Sequence, residues 1–220
     1  SLIAFSNHQF YGGKLNTFPS SIFGREGFGV RHVFVPDGVF DRGRSRTNRA
    51  EAEVVAKMVR DHYARKDGKS LGVIAFSEAQ MEAIDSALDE MRKDDRELDT
   101  VLSSEEGEPF LLYNLENVQG HERDRIILSV GYGRDEKGRF ALNFGPLNRD
   151  GGERRLNVAI TRAKLSLDIV SSVRSEDIDL AGSRSKGAKL LKQYLAFAES
   201  NGDRRALPIS EGKREEIAPF

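Results

Sequence analysis

Short apolar runs alternate with amphipathic helical patterns along most of this chain, and that alternation limits its fold more than any other feature. Strand-length runs separated by helix-length patterns set the strands side by side in a mainly parallel sheet with helices on both faces. Val33-Phe-Val35 reads as a short strand ending at Pro36. Asn48 and Glu51 form a capping box, and Ala52, Val55, Val59 and His62 continue one face of the helix behind it. Leu71 to Phe76 is a buried strand, followed by a second box, Ser77 and Gln80, opening a helix faced by Met81, Ile84, Leu88 and Met91. The charge run from Lys93 to Glu97 is a solvated helix end or loop. Phe110 to Tyr113, Ile126 to Val130 and Leu165 to Val173 are further strands, Gly131 to Asn143 is a hairpin or loop, and Lys189 to Ala198 is a last helix. Beyond Asn201 the chain is polar and aperiodic, so the expected organisation is one domain over 1–200 and a disordered tail over 201–220.

Composition sets outer bounds. A chain of 220 residues, 38% hydrophobic and 31% charged, is large enough for one well-cored soluble domain. It contains no Cys, which excludes disulfides and thiolate metal sites and fits a reducing cytosol; a cytoplasmic location is expected. No apolar run reaches membrane-spanning length, so no membrane partner is expected. The four His are dispersed without ligand spacing, and no metal site is expected in the chain. Net charge is −1, so nucleic-acid binding would have to rest on local patches.

A separate basic feature lies in Gly152-Glu-Arg-Arg-Leu-Asn-Val-Ala-Ile-Thr-Arg-Ala-Lys164, where Leu156, Ala159, Ile160 and Ala163 form a helical stripe. Arg155 and Arg162, seven residues apart, fall on nearly the same side of that helix, away from the stripe. Two planar forks of donors suit a multiply charged anion, and a solvated basic face is the competing reading. About thirty residues earlier, Leu115-Glu-Asn-Val-Gln-Gly-His-Glu-Arg-Asp-Arg-Ile-Ile-Leu-Ser-Val-Gly131 runs from a polar turn at Gln119-Gly120 into a β-branched strand.

Together these segments resemble motifs V and VI of superfamily 1 helicases of the B type, in the subgroup whose motif VI reads Arg-Arg-Leu-Asn-Val-Ala-x-Thr-Arg-Ala. Ser1 to Asn7, Phe10-Tyr11 and Leu71 to Gln80 look like the stretch after motif III and like motif IV, so the resemblance covers most of residues 1 to 198. It is nearest to bacterial helicases of unassigned role. It implies a three-layer RecA-like α/β domain of the P-loop NTPase type.

The resemblance also implies roles. Arg162 matches the arginine finger that reaches the γ-phosphate, and Arg155 one of the paired arginines opening motif VI. Gly120 and Glu122 would face the ATP cleft, Gln119 would couple it to the nucleic-acid side, and Gln80 would be a motif IV contact near the nucleotide. Each has a plainer explanation: a salt bridge for Arg155, a partner for Arg123 or Arg125 in the case of Glu122, and a helix cap for Gln80. Candidate contacts to single-stranded DNA or RNA are Arg42, Arg44 and Arg46, in a loop with four arginines in eight residues, and Ser77, Asn114 and Asn117 at strand ends.

The chain lacks Gly-x-x-x-x-Gly-Lys-Ser/Thr and any apolar strand ending in an acidic pair, the elements that hold nucleotide phosphates and Mg²⁺. In the family these belong to the first RecA-like domain. The expectation is therefore a second RecA-like domain of a longer ATP-dependent helicase, using ATP and Mg²⁺ with a missing N-terminal partner domain, and inactive alone. Two alternatives stand beside it. One is a non-catalytic module that binds nucleotide, nucleic acid or protein. The other is a metal-dependent nuclease assembled from Asp37 and Asp135-Glu136-Lys137.

Overall fold

The computed structural model describes residues 2–15 and 28–207. Its elements are α1 (Leu2–Phe10), β1 (Gly29–Phe34), α2 (Arg49–Ala64), β2 (Leu71–Ala75), α3 (Glu78–Asp94), α4 (Arg96–Leu102), β3 (Leu111–Asn114), β4 (Arg123–Ser129), α5 (Gly152–Ile160), β5 (Ala163–Ser171) and α6 (Lys186–Glu199). The strands lie in the order β1-β5-β4-β2-β3, and every neighbouring pair is parallel. Helices cover both faces, giving the expected three-layer α/β architecture of RecA-like type.

The layers follow from strand alternation. Ile126 and Leu128 of β4, Ile74 of β2, and Leu167 and Ile169 of β5 enter the core beneath α1, α5 and α6. Their neighbours Ile127, Val73, Ala75 and Val170 enter the opposite core beneath α2 and α3. In the first core Phe5 meets Tyr194 edge-on at 4.9 Å and is fully buried with Leu156, Ile160, Leu191 and Phe197.

The two boxes are half formed. Asn48 Oδ1 accepts from the Glu51 N–H at 3.2 Å and Ser77 Oγ from the Gln80 N–H at 3.2 Å, so both residues cap their helices. The return bonds are not made: the Glu51 carboxylate turns to Gly131 and Ser172, and the Gln80 amide crosses to Asn48. The Lys93 to Glu97 run is no loop, because Asp95 closes α3 and caps α4, accepting from the Leu98 N–H at 2.9 Å. The β1 strand starts four residues before Val33. Arg31 and His32, which hid it, are partnered on β5 by Asp168 (2.8 and 2.7 Å) and Ser171 (2.8 Å).

The arginine-bearing helix also differs from expectation. It ends at Ile160, Arg162 lies in the following turn, and Ala163 opens β5. Of the expected tail, residues 201–207 form turns, with a 3-10 turn at Arg204–Ala206; residues 208–220 lie outside the described residues.

Candidate functional site

The candidate residues fall at opposite edges of the sheet, about 20 Å apart by strand length. At the edge where the strands begin, residues 115–122 return from β3 across the face, anchored by buried Leu115 and Val118, and deliver Glu122 to the start of β4. Arg162 stands at the start of the adjacent β5, and the Arg123 N–H donates to its carbonyl at 3.1 Å. Two strands thus bring together residues forty positions apart in the sequence.

The Arg162 guanidinium is mostly buried and held by the chain around it. Its Nε donates to the Val158 carbonyl at 3.0 Å and its Nη2 to Thr161 Oγ1 at 3.3 Å. Its Nη1 faces Glu122 Oε1 at 3.8 Å, a charge contact longer than a hydrogen bond. Gly120, two residues before Glu122, has φ +86°, a left-handed backbone that glycine adopts without cost. Gly120, Gln119 and Glu122 are all exposed. This edge therefore presents a fixed guanidinium, a carboxylate and accessible backbone.

Arg155 and Gln80 are not there. Arg155 lies near the start of α5 and donates to the carbonyls of Asp150 (2.9 Å) and Pro146 (3.4 Å), about 10 Å along the helix from the turn that holds Arg162. Gln80 is buried at the edge where the strands end. Its Oε1 accepts from the Asn48 N–H at 2.8 Å, and its Nε2 donates to the Asn48 carbonyl at 3.1 Å and to Ser129 Oγ at 3.3 Å. Both ends of that amide are already bonded within the fold.

The second edge carries an open groove of about 710 Å³, lined by Arg42 and Arg46 from the loop after β1, Ser77 at the start of α3, and Tyr132, Asn143 and Arg149. Asp41 shapes the arginine loop by accepting from the Ser45 N–H and Oγ, both at 3.0 Å, and these bonds hold its carboxyl below its usual range. Arg44 belongs to the same exposed loop but does not line the groove. Asn114 is buried and accepts from the N–H groups of Glu116 (2.9 Å) and Asn117 (3.1 Å), shaping a turn that leaves Asn117 exposed. No motif or periodicity in the sequence marks Tyr132, Asn143 or Arg149. The polar Asn148-Arg149-Asp150 turn before the arginine helix was the available signal.

Among the described residues no group of three His, Cys, Asp or Glu side chains is placed to hold a metal ion. The Asp135 carboxylate is taken up by Arg139 Nε at 2.9 Å and by the N–H groups of Lys137 and Arg139.

Comparisons with known proteins agree with the fold. A family model described as an AAA domain matches residues 1–174. An uncharacterised ATP-dependent helicase of Mycoplasma pneumoniae is 34% identical over 223 residues, covering 100% of this chain and 19% of its own length. Its counterpart in Mycoplasma genitalium is 36% identical over 205 residues, covering 90% of this chain and 17% of its own length. The chain thus spans about a fifth of the curated relatives it matches. A solved C-terminal domain of a possible DNA helicase from Lactobacillus plantarum overlaps 67% of this chain and 76% of that one, with a TM-score of 0.41 and 16% identity, too loose to add anything. By the extent of the family match, the chain belongs to the AAA domain family.

Proposed function

We propose that this domain is the second motor domain of an ATP-dependent superfamily 1 helicase and supplies an arginine finger, Arg162. The observation that carries the reading is the pairing of Arg162 with Glu122 at the leading ends of two adjacent strands, where the guanidinium is fixed by carbonyl and hydroxyl acceptors. A preceding domain would hold the phosphates and Mg²⁺ of ATP. Closure would bring Arg162 to the γ-phosphoryl group, where a positioned cation stabilises the charge that builds on its oxygens. Glu122 would accept from a ribose hydroxyl, with Gly120 and Gln119 giving the nucleotide close access to the backbone. Arg155 stays outside this contact set, bonded at the far end of α5.

The groove at the opposite edge would carry single-stranded DNA or RNA. Arg42, Arg46 and Ser77 would contact phosphates within the groove, and the exposed Arg44 and Asn117 would add contacts outside it. Opening and closing of the cleft would shift this groove against the other domain and so move the strand. Without a phosphate loop, the chain alone would be inactive. The test is Arg162→Ala in an intact helicase carrying this domain. ATP turnover should be lost while ATP binding persists; turnover retained by the variant would remove Arg162 from the mechanism.

A further inference from the structure

Glu51, in the first turn of α2, is fully buried and accepts hydrogen bonds from three separate segments. Its Oε2 accepts from the Gly131 N–H at 2.7 Å and from Ser129 Oγ at 3.4 Å, both at the end of β4. Its Oε1 accepts from the Ser172 N–H at 2.7 Å and Ser172 Oγ at 2.9 Å, after β5, and from Asn48 Nδ2 at 3.2 Å. Backbone N–H groups only donate, so this pocket is shaped for a carboxylate acceptor. Asn48 Nδ2 also reaches Ser172 Oγ at 2.7 Å, and the Gln80 side chain accepts from the Asn48 backbone N–H and donates to the Asn48 carbonyl.

Capping explains none of this, because Asn48 and Ser77 cap α2 and α3 with their own oxygens. What the carboxylate joins is the underside of the groove. Asn48 ends the loop that carries Arg42 and Arg46, Gly131 precedes Tyr132, and Gln80 lies on the first turn of the helix that Ser77 caps. We propose that Glu51 is the positioning residue of the groove, setting the arginine loop, the end of β4 and the end of β5 in one arrangement that receives a nucleic-acid backbone. This rests on the reading of the groove as a nucleic-acid track. A prearranged set of guanidiniums spares the ordering cost that loose loops would incur on binding.

The test uses an intact helicase carrying this domain and a labelled oligothymidylate, with Kd measured across a salt series and KM measured for ATP. Glu51→Gln keeps one acceptor but sets an amide N–H against the Gly131 or Ser172 N–H. It should weaken oligonucleotide binding about tenfold and flatten the salt dependence by about one counterion, while the ATP KM moves less than about twofold. Unchanged binding by a folded Glu51→Gln protein overturns the proposal, as does an equal shift in Kd and ATP KM. Should Glu51→Gln fail to fold, Ser172→Ala decides: it removes one hydroxyl from the network and keeps the backbone bond. A rise in Kd of about threefold supports the proposal, and no rise overturns it. The double variant Arg42→Ala/Arg46→Ala separates the two ideas. If it binds like the parent, the groove reading falls and takes the proposal with it. Weak binding there combined with parental binding by Glu51→Gln sinks the proposal alone.

Discussion

Arg162 is fixed through Nε and Nη2 and leaves Nη1 turned toward Glu122, so its function and its stability role can be separated experimentally. Arg162→Ala in an intact helicase should lower kcat by about 10³-fold, with ATP affinity changed by less than about threefold, read from steady-state turnover and equilibrium nucleotide binding. Glu122→Gln should instead raise the ATP KM several-fold at nearly constant kcat, since a ribose contact is equally strong in ground and transition states. Glu51 makes a pH prediction. Burial pushes its carboxyl from 4.5 up to about 7, against the pull of its donors. None of its hydrogen-bond partners titrates. The folded state therefore holds a proton that the unfolded chain releases, and Glu51's contribution falls as pH rises from about 4.5 to 7. Urea unfolding should show the parent losing on the order of 2–3 kcal/mol relative to Glu51→Gln between those limits; a constant difference would contradict it.

At the scale of elements, the buried strands were legible and the polar ones were not. The strands β2 and β5 were placed within two residues because apolar, β-branched runs have few other folds available. The β4 strand starts three residues before Ile126, hidden by Arg123, Asp124 and Arg125. The protein partners those charges with the Pro109 carbonyl, the Ser70 N–H and Asp67. The break after Ile160 was invisible because Arg162 and Ala163 fit the helical period as well as a strand start. That ambiguity puts Arg155 and Arg162 on one helical face in the sequence, whereas the structure sets Arg162 in the turn after the helix. The bonding of Gln80 is hidden for a related reason: it is to Asn48, 32 residues away, and no local pattern encodes it. Close packing adds a prediction here. A Cβ at Gly152 would strike the Leu147 carbonyl, so Gly152→Ala should destabilise the fold by about 2–4 kcal/mol in urea unfolding, although alanine is the better helix former.

At the scale of the whole molecule, the parallel sheet lets the two proposed roles share one domain. Its leading edge presents Arg162 and Glu122, its trailing edge presents the arginine groove, and rigid strands connect them. This division was only half legible: the motif residues could be named, but which edge each occupies depends on strand order and crossovers. The central claim is that the domain is one jaw of an ATP cleft and completes a site held by another domain. Its most direct test is ATP turnover, with and without single-stranded DNA, by this chain and by an intact helicase that contains it. The account predicts turnover by the intact protein and none by the chain. Turnover by the chain alone, or a silent intact protein with Arg162 in place, would contradict it.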